Sequence, residues 1–99
     1  MRYQSTRGTA PVLDFQAATL AGLASDGGLY VPEAWPRFSE AEIAAMAALS
    51  YVEVAVRVCA PFTAGALDEA ALRDVFTRAY GRFAHAAVVP LKQLDYRHF

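Results

Sequence analysis

"GLASDGGLYVPEAWP", residues Gly22 to Pro36, sets the architecture of this chain. Asp26 stands before two glycines, and Leu29-Tyr30-Val31 follows as a short apolar run closed by Pro32. Gly27 and Gly28 tolerate the positive φ that a sharp reversal demands. A helix finishing near Gly22 is thereby turned back as a strand over Leu29 to Val31. Its natural partner is Arg2-Tyr3-Gln4-Ser5, with the strand itself expected over Tyr3 to Ser5. Two short strands do not hold together alone, so helices must cover their apolar face. The expected fold is therefore α+β, a mostly helical small domain with a two- or three-stranded β element.

The helices announce themselves by their caps. Asp14 offers its carboxylate to a helix from about Phe15 to Ala21, whose Phe15, Ala18 and Leu20, with Leu23 beyond them, crowd one side. Ser39 and Glu42 stand at capping-box spacing, so a second helix starts at Glu40 and runs to about Leu49, with Ile43, Met46 and Ala47 as its inward stripe. Ser50 and Glu53 repeat the box. Val52, Val54, Val56 and Val58 alternate as a strand would, but the cap at Ser50 and the stop at Pro61 favour a helix to Ala60, with Val52, Ala55, Val56 and Cys59 on one face. Asp68 caps the last helix, in which Leu72, Val75, Phe76, Ala79 and Tyr80 form the core face and Gly81 the end. "AAVVPLKQL" reads as extended, since Val88 and Val89 favour strand and Pro90 bars a helix interior.

At 99 residues the chain fits one domain spanning 1–99, and a body of that size buries only about two thirds of the surface its unfolded chain exposes. Its hydrophobic fraction of 56% exceeds the roughly 45–50% of soluble domains. Surplus apolar surface calls for a partner. The net charge of -1 is scattered without a basic block, which argues against nucleic acid. No apolar run approaches the ~20 residues that span a bilayer, and no signal peptide opens the chain, so neither membrane nor export is expected. Cys59 is the single cysteine. It reads as a buried free thiol in a reducing, cytoplasmic setting.

Chemistry is sparse. "SDGG" is first of all a structural turn and only secondarily a ligand contact, because it lacks the spacing of either nucleotide fingerprint. "STRG" sets two hydroxyls beside Arg7, a combination able to meet a phosphate or carboxylate, although most polar loops are simply solvated. His85 and His98 have no second ligand or carboxylate at helical spacing, so no zinc site is expected. Trp35 reads as a packed lid over a small core. Lys92, the sole lysine, lies in an extended "PLKQL" with nothing nearby to hold a cofactor phosphate. No catalytic constellation stands out.

Taken in order, "YQSTRG" (Tyr3 to Gly8), "FQAATLAGLASDGGLYVPEAWP" (Phe15 to Pro36) and "SYVEVAVRV" (Ser50 to Val58) resemble the amino-terminal domain of the threonine synthase family, bacterial and fungal type. That resemblance implies part of a fold type II enzyme using pyridoxal phosphate, which converts O-phospho-L-homoserine and water to L-threonine and phosphate. The family's Schiff-base lysine lies in a histidine-glycine-proline-threonine segment that these residues do not contain. The resemblance thus implies a segment inactive alone, with the cofactor-binding domains of the same enzyme as its partners and no catalytic or cofactor-binding residue within it. It places Ser5, Thr6, Arg7 and Asp26 on loops facing the substrate cleft. The alternative is a free-standing interaction module docking through an apolar face, and a weaker one is an anion-binding domain built on Arg7 and the Gly27-Gly28 turn.

Overall fold

A computed structural model describes residues 1–97; His98 lies outside the described residues. The chain runs β1 (Arg2–Ser5), β2 (Leu13–Asp14), α1 (Phe15–Ala21), β3 (Tyr30–Pro32), α2 (Glu40–Met46), α3 (Tyr51–Thr63) and α4 (Glu69–Tyr80). The strands make one antiparallel sheet in the order β2-β1-β3. This is the expected α+β arrangement, and β1 pairs with the returning strand as anticipated: Tyr3 faces Pro32, Gln4 faces Val31 and Ser5 faces Tyr30. The return strand begins one residue later than expected. The edge strand β2, which pairs Arg2 with Asp14 and Tyr3 with Leu13, was not foreseen. Two residues carry too little alternation to read as a strand.

The caps act as the sequence proposes. Asp14, Ser39, Ser50 and Asp68 each accept a hydrogen bond from the backbone N–H three residues on, which fixes where every helix starts. Ends are less obedient. α2 stops at Met46 rather than near Leu49. α3 is a helix, not a strand, but it runs through Pro61 to Thr63. Proline there removes only the N–H that would have reached Arg57, with a single turn left to build. Thr63 Oγ1 bonds back to the carbonyls of Cys59 and Ala60, and the Tyr3 hydroxyl donates to the Phe62 carbonyl at 2.5 Å, so this last turn is anchored by partners outside the helical ladder.

Tyr3 and Ser5 share the buried face of β1, and together with Ala18, Ala24, Val56, Thr63 and Leu72 they form a small core. Val56, 2% exposed, and Leu72 seat α3 against α4. Glu53 and Arg73 clamp the same pair of helices through two charged hydrogen bonds, at 2.5 and 3.1 Å. At one end Tyr80 stacks on Phe76 and meets the edges of Tyr51 and Phe83. Cys59 is half-buried and its thiol is pushed up by burial, as a structural cysteine should be.

Other expected core positions are not covered. Ile43 is 58% exposed, Met46 is half-buried and α2 buries none of its residues, so its stripe is left largely uncovered among the described residues. Trp35 meets Phe62 edge-on yet stays 67% exposed, a flap beside the core rather than a packed lid. Leu20, Leu23 and Val75 are likewise exposed. Residues 84–89 form turns and bends, not the extended strand expected from Val88 and Val89. β-branched residues favour a strand only where a neighbour offers a ladder, and none lies alongside. No described helix is long and apolar enough to cross a membrane.

Candidate functional site

Two loops meet at one end of the sheet. The first leaves β1 at Ser5 and turns through Thr6-Arg7-Gly8, where Gly8 adopts φ +82° and its N–H bonds back to both the carbonyl and the hydroxyl of Ser5. The second closes α1 at Gly22 and returns through Ala24 to Gly28 into β3. In it the N–H of Ala24 reaches the Gly28 carbonyl and that of Gly27 reaches the Ala24 carbonyl. Of the two adjacent glycines, Gly27 takes positive φ, +85°, and Gly28 does not. Gly28 is required for a different reason: a Cβ on it would stand 2.7 Å from Thr6 Oγ1 and 3.2 Å from the Arg7 nitrogen. The pair of glycines thus does two jobs, one conformational and one steric, rather than both reversing the chain.

Asp26 ties the loops together. Its Oδ2 accepts from Ser5 Oγ at 2.6 Å, from the N–H and hydroxyl of Thr9 at 3.1 and 3.0 Å, and from the Ala10 N–H at 3.0 Å, while Oδ1 accepts from the Gly28 N–H at 3.0 Å. The Ser5 hydrogen bond above all, then those from Gly28 and Thr9, hold its carboxyl far below the usual carboxylate range against the opposing effect of burial. A carboxylate committed to five donors does not exchange protons near neutrality. It organises the site instead of acting as acid or base.

All four residues expected at the cleft converge here. Ser5 is buried and serves Asp26, and Thr6 locks the second loop by a reciprocal pair, its N–H to the Leu29 carbonyl at 2.8 Å and the Leu29 N–H to its hydroxyl at 3.0 Å. Arg7 is exposed, and Nη1 donates to the Asp26 carbonyl at 3.2 Å. Sequence reasoning missed Thr9 and the N–H groups of Ala10 and Gly28. Thr9, the next hydroxyl after "STRG", was the available signal; nothing in a sequence marks a backbone donor.

Pyridoxal phosphate requires a lysine held beside a phosphate cradle. Lys92 is exposed, beyond the last helix, and the N-terminus of α4, where a phosphate could otherwise sit, carries Asp68 and Glu69. The described residues do not fit that group. Nor do His, Cys, Asp and Glu gather into a metal-binding cluster among the described residues.

Comparison with known proteins identifies the fold. The family model described as "Threonine synthase N terminus" matches residues 2–80. The chain is 56% identical over 95 residues to threonine synthase of Pseudomonas aeruginosa, covering 96% of this chain and 20% of that protein. It is 40% identical to human threonine synthase-like 2, over 95% of this chain and 20% of that protein. Among solved structures, PLP-bound threonine synthase from Brucella melitensis superposes with a TM-score of 0.88 at 52% identity, over 97% of this chain and 21% of its own. The yeast enzyme gives 0.83 at 32% identity, over 90% of this chain and 18% of its own. The chain therefore spans about a fifth of the relatives it matches. Nothing in these matches supports a free-standing docking module. With the family model matching residues 2–80 and the same fold found in two solved threonine synthases, this chain belongs to the threonine synthase N-terminal family.

Proposed function

We propose that this chain, residues 1–99, serves as the amino-terminal domain of an enzyme converting O-phospho-L-homoserine and water to L-threonine and phosphate, a carbon–oxygen lyase acting on phosphates in threonine biosynthesis. The observation that carries this reading is the match to "Threonine synthase N terminus" over residues 2–80 by a chain spanning only a fifth of its relatives. Pyridoxal phosphate, held by the other domains, supplies the electron sink for the chemistry. This segment supplies no lysine for it and is inactive alone. Its partners are those domains and the small-molecule substrate, not nucleic acid or membrane, and its setting is the cytoplasm. The loops bearing Ser5, Thr6, Arg7 and Asp26 face the substrate cleft, with the Asp26 hydrogen bonds fixing their shape.

The test is a chimera. The 95 matched residues of the Pseudomonas enzyme are replaced by this chain, and phosphate release from O-phospho-L-homoserine is followed. Turnover comparable with the parent is expected. A folded, cofactor-loaded chimera that releases no phosphate would refute the proposal.

A further inference from the structure

We propose that Arg7 is the residue of this domain that receives the phosphate of the substrate, a phosphomonoester dianion; this rests on the reading above and assigns the role within the same loops. Its place on the loop pair, together with its unpaired guanidinium, carries it. Arg2, Arg73 and Arg78 each spend their guanidinium on a carboxylate, of Glu33, Glu53 and Asp74 respectively. Arg7 does not. It stands beside Asp26 and yet bonds to that residue's neutral carbonyl, because the Asp26 carboxylate is taken by Ser5, Thr9, Ala10 and Gly28. Among the described residues no acidic side chain forms an ion pair with Arg7, and the residue is exposed to solvent.

The guanidinium is also placed in advance. A Cβ on Gly27 would stand 3.0 Å from Nη1 and 3.4 Å from Cζ, so the bare glycine lets the charged group lie directly against the turn. Gly27 at φ +85° presents its carbonyl-bearing neighbour Asp26 to the same nitrogen. One N–H of the five is used in this anchoring. The remaining fork is available for the paired oxygens of a phosphate, the geometry a guanidinium matches best. Holding the side chain before the ligand arrives reduces the ordering cost of binding.

The experiment uses the cofactor-loaded chimera. Arg7→Gln keeps an N–H donor for the Asp26 carbonyl and removes the charge, whereas Arg7→Lys keeps the charge without the fork. For Arg7→Gln the KM for O-phospho-L-homoserine is expected to rise on the order of 10- to 100-fold, the worth of a charged hydrogen-bond pair, with kcat changed much less. Inhibition by inorganic phosphate should weaken by a similar factor and inhibition by L-homoserine, which has no phosphate, should not change. Arg7→Lys should recover part of the loss. Unchanged phosphate inhibition in Arg7→Gln, or an equal weakening of L-homoserine inhibition, would overturn the assignment while the parent's turnover left the domain's function standing. Absence of turnover in the unsubstituted chimera would instead remove both readings.

Discussion

At the scale of single residues, Gly28 and Asp26 hold the loop pair by different means, and each makes a prediction. Gly28→Ala places a methyl 2.7 Å from Thr6 Oγ1, 3.1 Å from Asp26 Oδ1 and 3.2 Å from the Arg7 backbone nitrogen. Backbone cannot step aside as a side-chain tip can, so the loops must part. A cost of about 1–3 kcal/mol is expected, seen by circular dichroism as a thermal midpoint lowered by at least about 4 °C; an unchanged midpoint would contradict the close approach. Asp26→Asn acts through charge. One carboxylate oxygen meets four donors and the other meets one, so an amide always sets its NH2 against a donor or gives up its negative charge at the crowded end. The folded-state pKa of Asp26 lies below its unfolded value. Its contribution is therefore complete above the ordinary carboxylate pKa of about 3.9 and fades as pH falls below it. The stability gap between the parent and Asp26→Asn, measured by urea denaturation, should be widest near neutrality and narrow below about pH 4. A gap constant from pH 7 to pH 2 would show that the charge is irrelevant.

At the scale of elements, the α3–α4 pair bears the core, and its helices differ sharply across their faces. Leu72 is 3% exposed, so Leu72→Ala should cost about 2–5 kcal/mol by leaving a cavity beside Val56. Val75, on the same helix but 49% exposed, should cost less than about 0.5 kcal/mol as Val75→Ala. Equal losses in denaturant titrations would mean that the helix packs by another face. What the sequence made legible in these elements was whatever is decided within a few residues. Asp14, Ser39, Ser50 and Asp68 fix starts because a cap and its N–H lie in one turn, and the cap at Ser50 outweighs four alternating valines. The turn at Asp26 was legible for the same reason. What escaped depends on distant partners: β2 exists only because β1 lies beside it, α3 outruns Pro61 where Tyr3 from the sheet takes the Phe62 carbonyl, and the Ala10 N–H joins the site only once two loops have met. The stripe of α2 was expected to face inward and is instead largely exposed, because no pattern of period 3.6 says which body covers it.

The whole molecule exposes more surface than its mass warrants. Its accessible area is 7474 Å², against about 5,500 Å² for a compact monomer of the same size. The radius of gyration, 16.6 Å, likewise exceeds the roughly 13 Å of a compact chain of 100 residues. Some of the exposed surface is apolar and sits where the sequence had pointed to an inward face: Leu20 at 80% and Leu23 at 68% exposed, close to a groove of about 340 Å³ between α1 and residues 66–67. If the other four fifths of the enzyme cover this flank, the flank has two energetic personalities. In the isolated chain neither leucine touches the core, so Leu20→Gln with Leu23→Gln should leave the midpoint of thermal unfolding almost unchanged. The exposed patch should nonetheless drive association. Sedimentation velocity should find the parent chain forming oligomers as concentration rises and the double variant remaining monomeric at the same concentrations. In the full-length enzyme the same pair should lose up to about 1.5–3 kcal/mol per leucine, the worth of a fully buried side chain. A parent chain that stays monomeric at every concentration, together with a full-length enzyme indifferent to both substitutions, would mean that nothing seats on this face and that the surplus surface has another origin.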